Sequence, residues 1–152
     1  ALFGVESDLE QGCRQALAAA AGMAQALDHL NHQLRHDLEE PLRMGIGIHA
    51  GPAIVGEMGY GAATTITAIG DTVNTASRLE NMTKEFSVEA VISAEVAQQA
   101  GADLGNFEVR QVTVRGRAEV MDVHLVSDLR GLGGPVPAQP RRKRVRVKAP
   151  TP

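Results

Sequence analysis

In the stretch GDTVNTASRLE, residues 70–80, an amide and a guanidinium stand four positions apart: Asn74 and Arg78. Residues at i and i+4 share one face of a helix, and Val73, Ala76 and Leu79 fall on a different side. The stretch is therefore predicted to be an amphipathic helix whose polar face carries neutral donors and one fixed cation. Gly70 and Asp71 punctuate the start, and Asp71 or Thr72 is expected to cap the free N–H groups of the first turn. On spacing alone, a solvated helix face accounts for the same pattern and is favoured.

Three other groupings carry residue types capable of chemistry. His29, His32 and His36 stand at helical spacing with Asp28 and Asp37 nearby, which is conceivable as a metal site. They project opposite the Leu27–Leu30–Leu34 stripe, however, and read as a solvent-facing row. Gly45, Gly47 and Gly51 form G-x-G-x-x-x-G, one residue off the dinucleotide-binding fingerprint. A strand follows them instead of a helix start, so that reading fails. His49, between Ile48 and Ala50, reads as a packed strand histidine more readily than a catalytic one. No nucleophile motif such as G-x-S-x-G is present.

These residues need a scaffold. The 152 residues suffice for one domain with a real core, and 43% hydrophobic with 22% charged residues matches a soluble globular chain. With 3% aromatics and no Trp, the core must be built from Ala, Val, Ile and Leu. Cys13 is the only cysteine, which excludes an internal disulfide and a cysteine-based zinc site and favours a reducing compartment. No apolar run approaches membrane-spanning length, and no signal peptide opens the chain. The apolar start ALFG, without Met, reads as the end of a buried strand that begins upstream, so the chain is expected to be a fragment.

The net charge of −3 divides into +6 over residues 131–152 and −9 over the remainder. That end, GLGGPVPAQPRRKRVRVKAPTP, is rich in Gly and Pro and too poor in apolar residues to fold alone. A basic run of this kind can touch nucleic acid or an acidic membrane surface, but it has no aromatic residue to stack on bases. Nucleic acid is not an expected partner.

Along the rest, residues 8–38 suit a long helix, with Ala16, Ala20, Met23, Leu27, Leu30 and Leu34 recurring at three- and four-residue steps. Pro41 limits its extent. RMGIGIHAGPAIVGEMG reads as two short strands around a turn at Gly51–Pro52, and ATTITAIG as a further strand leading into the helix at 70–80. VEAVIS is a strand, AEVAQQAG a short helix stopped by Gly101, and FEVRQVTVRG with EVMDVHLVS a closing antiparallel pair. The pattern predicts an α+β sandwich of helices against a largely antiparallel sheet.

Taken in order, ALFG, the Ala-rich helix, RMGIGIHAGPAIVGEMG, TAIGDTVNTASRLE and VRGRAEVMDVHLV together resemble the catalytic domain of class III nucleotidyl cyclases, the family that forms cyclic AMP or cyclic GMP. The resemblance covers residues 1 to about 127 and is most specific over 43–80. It implies an α+β class III cyclase fold, a ferredoxin-like sheet with helices packed on it, here missing its first strands and helices. The expected domain is 1–128, followed by a disordered Pro/Gly-rich basic tail at 129–152.

What the resemblance implies for chemistry is attack of a ribose 3′-oxygen on the α-phosphorus of a nucleoside triphosphate, with loss of pyrophosphate. Arg78 matches the family position that meets charge on the phosphate, and Asn74 the position that holds the ribose and orients the attacking oxygen. Arg117 in VRGRAEV matches a second cation near the triphosphate, where the family usually has Lys. Thr67, seven before Asn74, matches the base-reading position. Adenylate-forming members have Asp, Thr or Ser there and guanylate-forming members typically Cys, so ATP is the expected substrate. The family also uses two divalent ions, Mg²⁺ or Mn²⁺, held by two aspartates that match no position here. Asp8 and Asp71 do not substitute for them. The ligands are expected upstream, and the chain alone is expected to be inactive.

The resemblance further implies a homodimer with its site between subunits, cytoplasmic placement of the domain, a role in intracellular signalling and an upstream regulatory or membrane domain. A catalytically silent regulatory domain and a guanylate cyclase are the alternatives. Pro52 replaces a more usual Glu, a change expected to affect a turn and no chemistry.

Overall fold

The computed structural model describes residues 1–60, 63–114 and 120–132. Helix α1 (Leu9–Gln33) opens on Asp8, whose carboxylate accepts from the Gln11 N–H at 2.7 Å and satisfies one of the free donors of the first turn. Its buried face is Cys13, Leu17, Ala20 and Ala24, rather than the stripe through Met23 and Leu30, which are 50% and 40% exposed. α1 packs through alanines because their small side chains allow close approach to its neighbours; the longer side chains stay outside. The helix stops at Gln33, short of the expected 38. There the Asn31 amide holds both the N–H and the C=O of Leu42, at 2.8 and 2.9 Å, and draws the chain back. His29, His32 and His36 are exposed, as expected.

The following elements are β1 (Ile46–Ile48), β2 (Ile54–Tyr60), β3 (Ala63–Ile69), α2 (Asp71–Phe86), β4 (Ala90–Ser93), α3 (Ala94–Ala100), β5 (Glu108–Thr113) and β6 (Val120–Val126). Gly101, in the left-handed region at φ +62°, ends α3 as the sequence predicts. The main sheet runs β1-β4-β6-β5, with β1 parallel to β4 and the other pairs antiparallel. β2 and β3 form a separate antiparallel hairpin, Ile54 opposite Ile69 and Gly56 opposite Thr67. The turn at Gly51–Pro52 thus separates two strands that pair elsewhere. Parallel β1–β4 pairing needs a crossover, and α2 supplies it.

Strand alternation divides the core. Ala90, Ile92 and Val126 pack with Leu17, Ala20, Val96 and Leu129 on the α1 side. Val91, Val123 and Leu125 pack with Leu79, Val112 and Val114 on the α2 side. The ALFG segment is not a strand. Leu2 and Phe3 are exposed, Gly4 turns at φ +77°, and a Cβ on Gly12 would lie 2.8 Å from the Gly4 Cα. The segment folds back onto the first turn of α1 instead of joining a sheet edge.

The packed part also runs past 128, through a 3₁₀ turn at Leu129–Leu132 with Leu129 in the core. The remainder of the expected basic tail lies outside the described residues. Arg130 binds Asp28 at 2.5 Å, Glu89 at 2.8 Å and Asp128 at 3.0 Å, tying this turn to α1 and to the start of β4. Hydrogen bonds from Arg130, its guanidinium for Asp28 and its backbone N–H for Asp128, hold both carboxyls below the usual carboxylate range. A pKa lower in the folded than in the unfolded state gives stability that is present above the unfolded value and lost as pH falls. Arg130→Ala leaves the backbone N–H on Asp128 but takes the guanidinium from Asp28, so its melting temperature should lie below that of the parent at pH 7, and the gap should close below pH about 4 as Asp28 takes up a proton. A gap unchanged from pH 7 to 3, followed by circular dichroism, contradicts the clamp. Among the described residues no helix is long and apolar enough to cross a membrane.

Candidate active site

Helix α2 carries the two residues first singled out. It begins at Gly70, whose φ of +152° suits glycine, and whose carbonyl accepts from the N–H groups of Val73 and Asn74 at 3.2 and 3.3 Å. The N-cap residue is Gly70, which has no side chain of its own, and Thr72 does not supply the expected cap. The Thr72 hydroxyl instead donates to the Pro52 carbonyl at 2.7 Å, fastening the helix start to the connection between β1 and β2.

Thr75, Leu79 and Thr83 form the buried face of α2. Asn74 is exposed and Arg78 half-buried one turn further on, about 6 Å along the axis at 1.5 Å per residue. Their common face is the one the sequence predicts. Arg78 also lacks any hydrogen-bond or ion-pair partner among the described residues, whereas Arg14 is held by Glu10, Arg110 by Glu108 and Arg130 by three carboxylates. A half-buried guanidinium that is in no ion pair among the described residues is available to an external anion.

Beside Arg78 lies a shallow depression of about 300 Å³, lined also by Asn81, Met82, Glu85 and Thr113. Glu85, seven residues after Arg78, could have been found from helix periodicity; Thr113 comes from β5 through tertiary packing and leaves no local signal. Neither Asn74 nor Thr67 lines this depression. Thr67 is half-buried on β3, on the hairpin face that also carries Ile54, Met58 and Ile69. Its cross-strand partner is Gly56, around whose missing side chain there is open space. Arg117 lies outside the described residues.

The glycines at 45, 47 and 51 find their purpose here. A Cβ on Gly45 would lie 2.2 Å from the Thr83 Oγ1, one on Gly47 2.2 Å from the Ala76 carbonyl oxygen and 2.3 Å from the Glu80 nitrogen, and one on Gly51 2.7 Å from the Thr72 Oγ1. They make a lane in which α2 lies directly on the backbone leading into and out of β1. His49 lies in the same stretch, half-buried, with its Nδ1 3.0 Å from the Ser93 Oγ.

Among the described residues no group of three or more His, Cys, Asp or Glu side chains could hold a metal ion. Asp8 is engaged as the cap of α1 and Asp71 opens α2. The described donors do not fit a two-ion centre.

The helix-on-sheet architecture, with its separate hairpin, is that of a nucleotidyl cyclase catalytic domain. The family model described as the adenylate and guanylate cyclase catalytic domain matches residues 2–127, and the chain belongs to that family. Adenylate cyclase 1 of Rhizobium meliloti is 35% identical over 118 residues, covering 77% of this chain and 17% of that protein. Among solved structures, the guanylyl cyclase Cya2 superposes with a TM-score of 0.70 at 27% identity, over 88% of this chain and 65% of the other. The adenylyl cyclase CyaB from P. aeruginosa does so with a TM-score of 0.67 at 26% identity, over 87% and 68%. The chain spans at most 24% of the length of the first curated relatives it matches.

Proposed function

We propose that this chain is the C-terminal portion of an adenylate cyclase catalytic domain, which forms 3′,5′-cyclic AMP and pyrophosphate from ATP for intracellular signalling in the cytoplasm. The observation that carries the reading is Arg78, unpartnered among the described residues, on the same helix face as Asn74. Arg78 neutralises charge that grows on the phosphate oxygens as the 3′-oxygen attacks and pyrophosphate departs. Asn74 hydrogen-bonds the ribose and limits the directions from which that oxygen can approach. Both side chains sit on one rigid helix locked to β1, so their separation is fixed before substrate arrives. Arg117 is proposed as the second phosphate cation.

Two divalent cations, Mg²⁺ or Mn²⁺, are proposed to supply Lewis-acid activation, held by residues preceding Ala1; with those ligands absent, residues 1–152 alone are inactive. A second copy completes the site. The hairpin supports this: Ile54, Met58 and Ile69 are 77, 56 and 55% exposed on one face, an apolar surface suited to burial against a partner. Thr67 lies on that same face, beside the space left by Gly56, where a flat purine ring has room. Its hydroxyl can accept from the adenine amino group or donate to a ring nitrogen. An upstream regulatory or membrane domain is part of the proposal.

The test is to measure cyclic AMP and cyclic GMP formation side by side in the full-length protein. ATP is expected to be preferred. Thr67→Cys should erode the preference without producing an efficient guanylate cyclase, because one hydrogen bond gives only about 1–3 kcal/mol of discrimination. Comparable rates with ATP and GTP in the parent would instead favour the guanylate or mixed reading, and no product from either nucleotide the silent one.

A further inference from the structure

We infer that His49, held by Ser93, is a positioning residue that sets the height of the first turn of α2 and so aims Asn74; this rests on the proposed role of Asn74 in orienting the ribose. Every other residue so far placed in the lane beneath α2 is glycine, because the helix comes within 2.2 Å of where a side chain would begin. The lane order is fixed by those contacts: Gly47 lies under Ala76 and Glu80, Gly51 under Thr72. Residue 49 falls between them, level with residues 72–76, the turn that bears Asn74. An imidazole is thus the one bulky group where the rest of the lane has none.

Ser93 fixes that group from the neighbouring strand. Ile92 belongs to the α1-side core and Val91 to the α2-side core, so alternation places Ser93 on the α2 side. Ser93 is 1% exposed and its Oγ lies 3.0 Å from the His49 Nδ1. Thr75, on the buried face of α2, is fully buried with no hydrogen-bond partner for its Oγ1 among the described residues. Gly70, the N-cap residue, has no side chain with which to cap the helix start. The Thr72–Pro52 bond is one of its attachments, whereas the second half of α2 is seated by Thr83 over Gly45 and by Leu79 in the α2-side core.

The test is a double-mutant cycle in the full-length protein, with folding of each variant verified by circular dichroism. His49→Ala should lower kcat about tenfold with KM for ATP changed less than twofold, the pattern of a group that acts only as the reaction proceeds. His49→Asn, whose amide can occupy the Nδ1 position and bond Ser93, should restore most of the rate. In an Asn74→Ala background the His49→Ala effect should shrink to under twofold, because nothing remains to aim. Amide exchange should quicken at residues 73–75 in His49→Ala and stay unchanged over residues 79–86. An Asn74→Ala protein of full activity would overturn the ribose reading itself, and this inference with it. If Asn74→Ala is impaired, equal His49→Ala losses in both backgrounds, or exchange quickened uniformly along α2, would overturn the inference alone.

Discussion

Replacing Arg78 by Ala in the full-length protein is expected to lower cyclic nucleotide formation by about a hundredfold or more, the cost of removing one donor aimed at transition-state charge. Folding should be little affected. Arg78 lies off the buried face formed by Thr75, Leu79 and Thr83, and among the described residues it holds no carboxylate whose charge would be stranded. Lys in its place should recover only part of the rate, since an ammonium keeps the charge and loses the two-pronged geometry. The shared-site proposal sharpens the test. An Arg78→Ala subunit mixed with one lacking the upstream metal-binding residues should regain part of the activity that each lacks alone, because one intact site forms from the sound half of each partner. Activity that stays absent in demonstrated heterodimers rejects a site built from two chains; full activity in Arg78→Ala removes the central assignment.

The part of this site that lies on α2 was legible because a helix states its own phase. Leu79 inside and Asn74 outside follow from the order of residues, whatever lies opposite. α1 states no phase: residues 16–21 are Ala, Leu and four further Ala, so apolar residues lie on every side and packing alone selects Cys13, Leu17, Ala20 and Ala24. Strand existence was readable from β-branched runs, but the pairing of β1 with β4 joins residues 44 apart and has no local signature. The same holds for the free guanidinium of Arg78, since whether a nearby carboxylate such as Glu85 pairs with it among the described residues is a property of the assembled surface. The glycines at 45, 47 and 51 were visible from the start. Their period-two placement carried the information that a helix lies on them, while their likeness to a nucleotide-binding fingerprint drew attention elsewhere.

That lane gives the second large effect. Gly47→Ala should lower the melting temperature by about 2–12 °C, from roughly 1–3 kcal/mol of overpacking. The new methyl group would meet the Ala76 carbonyl oxygen at 2.2 Å and the Glu80 nitrogen at 2.3 Å. Both are backbone atoms of a hydrogen-bonded helix, so no side-chain rotation relieves the contact, and α2 must lift as a body. Asn74 and Arg78 then move together, and activity should fall further than the loss of folded protein explains. Gly22 provides the contrast within the same chain. It lies on the exposed side of α1 with nothing within 4 Å of a built Cβ, so Gly22→Ala should raise stability by up to about 1 kcal/mol through helix propensity. The same chemical change is thus expected to act with opposite sign at two positions, decided by whether a helix backbone lies above the glycine. Thermal melts of the two variants, with activity measured well below either transition, check both signs. A Gly47→Ala protein that melts within a degree of the parent and keeps its activity would mean that α2 does not rest on β1 as closely as these distances state.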